Sequence, residues 1–128
     1  PCVRKYLSVD GGMMDNPRPA LYGSQYEALL ANRANAKATE VVSIAGRACE
    51  SGDMLMWDVP LPRAKCGDLL AMLCTGAYQY AMASNYNRVP VPAVVLVQYG
   101  KASLMVARQR WEDVAQYDRM PAWLDAGK

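Results

Sequence analysis

The chain has 128 residues, 52% hydrophobic and 20% charged, with 14 Lys and Arg against 12 Asp and Glu for a net charge of +2. This describes one globular domain able to bury roughly two-thirds of its unfolded surface, without the concentrated positive charge that marks a nucleic-acid binder. There is no histidine, which excludes a Ser-His-Asp or Cys-His pair within the chain, His-ligated zinc and an imidazole proton shuttle.

Taken in order, the chain predicts mostly short strands. Tyr6–Asp10 alternates and stops at Gly11-Gly12, a strand ending in a turn. Asp15–Pro19 contains two prolines and predicts a stiff, non-helical loop presenting Arg18. Tyr26–Leu30 fits a strand or one helical turn, and the Ala/Asn-rich stretch Ala31–Thr39 reads as a tolerated surface insertion. Strands are predicted over Glu40–Ala45 and over Met54–Val59, the latter ending at Pro60.

Gly67–Cys74 is an apolar run consistent with a fully buried strand, broken by Thr75-Gly76. Ala77–Ala83 predicts a short helix and Asn85–Arg88 a loop. Ala93–Tyr99 and Ala102–Arg108 predict a hairpin turning at Gly100-Lys101, and Trp111–Tyr117 a terminal helix with Glu112 and Asp113 in its first turn. Short strands separated by Gly and Pro turns point to a mainly β barrel or sandwich with small helices.

Cys2, Cys49, Cys66 and Cys74 form no C-x-x-C pair, and a core-sized chain without a targeting run is expected to keep them reduced in the cytoplasm. The apolar stretches fall far short of the about 20 residues a transmembrane helix needs, so no membrane span is expected. The chain opens Pro-Cys-Val-Arg-Lys-Tyr with neither Met nor an apolar leader, and an excerpt of a longer protein is expected.

Three groups carry candidate chemistry. Cys49-Glu50-Ser51-Gly52-Asp53 puts a thiol beside a carboxylate in a glycine-flanked turn, either exposed for proton transfer or a small buried hydrophobe beside a solvated acid. Arg18 with Tyr22 four residues on offers a planar guanidinium and a phenol to an anionic group; the plainer alternative is a surface arginine near a half-buried tyrosine. Gly76-Ala77-Tyr78 lets the chain pass close to a ligand with a phenol that can bond a phosphate, although Tyr78 alone reads as a core tyrosine.

Together and in order, Val-Asp-Gly-Gly-Met-Met-Asp-Asn-Pro-Arg-Pro-Ala-Leu-Tyr-Gly, Cys-Glu-Ser-Gly-Asp, Gly-Ala-Tyr, Met-Ala-Ser-Asn-Tyr-Asn and Pro-Ala-Val-Val-Leu-Val resemble the C-terminal part of the bacterial diaminopimelate decarboxylases, over about Tyr6 to Trp111. The resemblance implies residues 1–128 of a Greek-key-like β-domain from an alanine-racemase-like enzyme, without the β/α barrel that holds most of the pyridoxal 5′-phosphate. It implies that Arg18 and Tyr22 bind the carboxylate at the non-reacting end of diaminopimelate and that Glu50 reads the amino group there. Cys49 is implied as proton donor in the neighbouring subunit's site, and Tyr78 as a contact to cofactor phosphate and substrate. It further implies a homodimer with shared sites, conversion of meso-2,6-diaminopimelate to L-lysine and CO2, and an isolated fragment that is inactive without the cofactor-bearing lysine. Ornithine- or arginine-type decarboxylases and a non-catalytic dimerisation module remain the alternatives, and an open sheet edge makes self-association the expectation.

Overall fold

The computed structural model describes residues 3–125. Its strands fall into three small sheets: β1 (Tyr6–Ser8), β3 (Glu40–Ala45) and β4 (Met54–Leu61) in the order β1-β3-β4; β2 (Ala28–Leu30) with β5 (Leu70–Met72); and β6 (Val94–Gln98) with β7 (Lys101–Val106). The mainly β class agrees with the expectation. Barrel closure does not, because the described strands pair within these three separate sheets and no ladder joins one sheet to the next.

The centre of the molecule is β3. Its β-branched residues suit a strand covered on both faces, and Val42, Ser43 and Ile44 are all essentially inaccessible. β1 runs parallel to β3, pairing Leu7 with Ile44, and β4 runs antiparallel from Glu40↔Leu61 to Ala45↔Met54 with two irregularities in the register. Buried Ser43 stays satisfied, accepting from the Asp58 amide at 3.3 Å and donating to the Asp58 carboxylate at 3.4 Å. Leu55, Met56 and Leu61 complete the core with Val42 and Ile44, and Leu70 and Met72 of the β2–β5 pair pack on its flank.

Several boundaries differ from the sequence expectation, each for a physical reason. The loop expected over Asp15–Pro19 gives way to a helix, α1 (Arg18–Tyr22), because proline's fixed φ suits a first helical turn, where its missing N–H has no partner to lose. Gly23 at φ +62° ends α1, its amide bonded to the Pro19 carbonyl at 3.0 Å. β4 continues through Pro60 to Leu61, which is possible because β4 pairs only with β3 and leaves its other edge open. The Gly67–Cys74 run is not a fully buried strand: only Leu70–Met72 is strand, half-buried, and Leu69 stays 64% exposed.

The Ala31–Thr39 stretch is pinned rather than loosely inserted. Ala31–Arg33 forms one 3-10 turn, the Asn32 amide donates to the Asp68 carboxylate at 2.9 Å, and Arg33 pairs with the same carboxylate. These bonds hold Asp68 at about 2, the Asn32 donor first and the Lys65 amide second. The helix expected over Ala77–Ala83 shortens to α2 (Gln79–Met82), and the terminal helix to α3 (Trp111–Ala115), followed by α4 (Ala122–Asp125). The β6–β7 hairpin turns at Tyr99-Gly100, not Gly100-Lys101: both residues have positive φ, +50° and +70°, as a two-residue turn matched to strand twist requires.

Candidate functional site

The candidate residues lie on a short helix and on connections: Arg18 and Tyr22 on α1, Cys49 and Glu50 between β3 and β4, and Tyr78 directly before α2. Arg18 starts α1, and Tyr22 lies one helical turn further, on the same face. The Arg18 guanidinium sits 5.3 Å from the Tyr22 ring centre and 5.1 Å from that of Tyr78, a cation held between two aromatic rings. Among the described residues no carboxylate pairs with it. Tyr22 and Tyr78 are 63% and 60% exposed, so Tyr78 is not the core tyrosine its short motif alone suggests.

Buried Asn16 sets this group. Its side-chain oxygen accepts from the Arg18 backbone amide at 3.4 Å and from the Gln79 side chain at 3.1 Å, and Gln79 also donates to the Tyr26 hydroxyl at 2.8 Å. Asn16 thus ties the start of α1 to the start of α2, directly after Tyr78. Met14, fully buried, fixes the next connection, its carbonyl accepting from the Ser84 amide at 3.0 Å.

Cys49 and Glu50 stand on the turn between β3 and β4. Both are exposed, and Cys49, Cys66 and Cys74 are free thiols; Cys2 lies outside the described residues. The reading of Cys49 as a buried hydrophobe is therefore set aside. Glu50 accepts from the Gly52 amide at 3.1 Å and from the Tyr86 hydroxyl at 3.4 Å. Desolvation pushes the Tyr86 phenol up, and the neighbouring Glu50 carboxylate adds to the rise.

The structure therefore gathers the predicted residues into two groups, Arg18–Tyr22–Tyr78 and Cys49–Glu50. Among the described residues no hydrogen bond or ion pair joins them directly; the connection is residues 12–16. Met13 donates its amide to Asp53, below Cys49–Glu50, at 2.7 Å, and Asn16 holds the Arg18 amide. Along this segment the Asp15 carboxyl is raised chiefly by desolvation, with the Gly12 amide and the Arg47 charge pulling the other way.

Sequence reasoning missed Asn16, Gln79 and Tyr86, whose partners lie 63 and 36 residues away along the chain. Separations of that length leave no periodic signal. Asp53 is different: its position in Cys-Glu-Ser-Gly-Asp, with Gly46 upstream, was a visible cue.

Chemically, the first group can grip an anion, with a guanidinium backed by two rings and phenol donors at its edge. The second can address a cation through Glu50 and move a proton through the Cys49 thiol. A mainly β domain that offers these groups from a short helix and connecting turns defines a class, the C-terminal sheet domain of the pyridoxal-dependent decarboxylases, whose family model matches residues 3–76. The chain belongs to that family.

Particular relatives are narrower. A diaminopimelate decarboxylase of Halalkalibacterium halodurans is 58% identical over 118 residues, which is 92% of this chain and 27% of the relative. The crystal structure of diaminopimelate decarboxylase from M. jannaschii superposes with a TM-score of 0.84 at 35% identity, covering 93% of this chain and 27% of that one. That of the Helicobacter pylori enzyme complexed with L-lysine gives 0.79 at 29% identity, covering 88% and 28%. The chain thus spans about a quarter of the length of the relatives it matches. Among the described residues no helix is long and apolar enough to cross a membrane.

Proposed function

We propose that this chain serves as the C-terminal sheet domain of a diaminopimelate decarboxylase, acting in a cytoplasmic homodimer that converts meso-2,6-diaminopimelate to L-lysine and CO2. The observation that carries the reading is Arg18: a half-buried guanidinium between Tyr22 and Tyr78 with no carboxylate of its own among the described residues. An unpaired cation in so ordered a setting is matched to a ligand carboxylate. The lysine complex of the Helicobacter pylori relative supports the reading, since L-lysine is the proposed product.

Pyridoxal phosphate, the cofactor its family name carries, supplies an electron sink when the carbon–carbon bond breaks. The residues fit one edge of that group: the Tyr78 hydroxyl makes no hydrogen bond among the described residues and can donate to a phosphate oxygen. The cofactor-bearing lysine and most of the phosphate cup would come from the barrel.

Arg18 and Tyr22 bind the carboxylate at the far end of the substrate, and Glu50 takes the ammonium there. A meso substrate carries opposite configurations at its two ends, so a fixed cation–anion pair at the far end selects which carboxylate reacts. Lysine or ornithine offered as a substrate, with its own carboxylate at the reacting carbon, has none at the far end and leaves Arg18 unpaired in the site. Cys49 Sγ holds a proton and delivers it to the carbon that has lost CO2. Cys49 and Glu50 share one exposed turn, so they enter a site together, and the resemblance to the decarboxylases implies that Cys49 does so in the neighbouring subunit.

In the intact enzyme Arg18→Ala should lower kcat/KM for meso-diaminopimelate by about 100-fold or more. Unchanged kinetics would overturn the reading.

A further inference from the structure

We infer that Asp53 is a positioning residue for the Cys49–Glu50 turn, a role that rests on the function proposed above. Asp53 lies where the turn enters β4 and is 3% exposed. Oδ1 accepts from the Met13 amide at 2.7 Å and Oδ2 from the Ala48 amide at 2.7 Å, one oxygen for each of two separate loops. Among the described residues no cation forms an ion pair with this carboxylate. A buried charge held only by backbone amides is costly unless those bonds are well made, so the two loops are constrained together.

The backbone completes the clasp. Gly46 donates to the Asp53 carbonyl at 2.9 Å, Asp53 donates to the Glu50 carbonyl at 3.1 Å, and Arg47 donates to the Gly11 carbonyl at 3.1 Å. Residues 46–53 are thereby fixed at both ends, and by Ala48 immediately before Cys49. Two glycines make room for the carboxylate. A Cβ on Gly46 would fall inside van der Waals contact of both Asp53 oxygens, and one on Gly12 would lie 2.7 Å from Oδ2. Gly12, Gly46 and Asp53 are three parts of one fitting.

The same fitting reaches the Arg18 group. Met13, bound to Oδ1, precedes Met14 and Asn16, which hold Ser84 and the Arg18 amide. Among the described residues Asp53 is the one side chain whose two oxygens bridge the Cys49–Glu50 turn and the segment that anchors Arg18. Carboxylate chemistry is required here, since an amide of the same size offers one acceptor and turns its NH2 toward the second backbone N–H.

The test is Asp53→Asn in the intact, cofactor-loaded decarboxylase, with Glu50→Gln alongside, each assayed with the meso and D,D isomers of diaminopimelate, which share the reacting D centre and differ at the far end. Displacing the turn should lower kcat for the meso isomer by about tenfold to 100-fold and erode its preference over the D,D isomer. A merely structural role would lower the melting temperature and leave the isomer ratio of the folded enzyme unchanged, which overturns the inference.

If Glu50→Gln leaves that ratio unchanged, the proposed function falls and this inference with it. If Glu50→Gln erodes the ratio and Asp53→Asn does not, only the positioning role falls. Should Asp53→Asn fail to accumulate, hydrogen exchange at the Ala48 and Met13 amides of the unsubstituted enzyme decides. Protection matching that of β3 supports the clasp, and exchange as fast as an open turn overturns it.

Discussion

β3–β4 and β6–β7 are both antiparallel pairs rich in valine, leucine and methionine, yet one is the core of the molecule and the other is mostly solvent-facing. Val42 and Ile44 are 1% and 0% exposed, whereas Val97 and Leu104 are 70% and 63% exposed. Strand-forming composition sets the ladder in both places; burial comes from what lies across the faces. β3 has a strand on each side and the β2–β5 pair against its flank, whereas each hairpin strand is paired only with the other. Two strands alone bury too little to be stable by themselves. The candidate site shows a like division, since Asp53, Met14 and Asn16 are buried and their hydrogen bonds tie down the exposed segments that carry the candidate residues.

The largest expected effect is in the covered sheet. Ile44→Ala should cost about 2–5 kcal/mol in urea unfolding, because a fully enclosed side chain leaves a cavity that packed neighbours cannot fill. A cost below about 1 kcal/mol would break the contrast between the two pairs.

Acid sharpens the picture at the rim of the β2–β5 pair. Asp68 titrates at about 2 in the folded chain against an ordinary 3.8. Because the folded value is depressed, its contribution to stability is fully present above 3.8 and drains away as pH falls toward 2. Melting temperature followed from pH 5 down to pH 2 should therefore decline, and Asp68→Asn should decline less steeply over the same window. Parallel curves for the two would show that the Asn32–Arg33–Asp68 contacts do not lower this carboxyl.

The smallest effect belongs to the hairpin. Val97→Ala should change unfolding stability of the chain by no more than about 0.5 kcal/mol. A cost approaching that of Ile44→Ala would mean the ribbon is covered in the protein tested, and the difference between the two pairs would disappear.

Much of the secondary structure was legible because it depends on near neighbours. Glu40–Ala45 is a strand with the boundaries its β-branched run predicts, and Tyr6–Ser8 lies within the predicted strand. The errors came where local rules compete. Prolines that forbid a helix interior are well suited to the first turn of α1, and Pro60 sits in a strand that has an unpaired edge. The apolar run at Gly67–Cys74 was misread because hydrophobicity indicates a tendency to be buried, and only packing decides whether a covering surface exists. The candidate residues Arg18, Tyr22, Cys49, Glu50 and Tyr78 stand in ordered motifs of the sequence, but how they group in space could not be read from those motifs.

By itself the sequence determined the strands, the turn glycines and the ordered motifs that mark the family, because backbone preferences and side-chain chemistry act over a few residues. Only the tertiary structure decided that Arg18 lies between two tyrosines, that Tyr86 reaches Glu50, and that the Asp53 carboxylate closes on two loops. Those are contacts between segments far apart along the chain, and their geometry exists only once β1 and β4 have paired on either side of β3 and brought the crossing loops together.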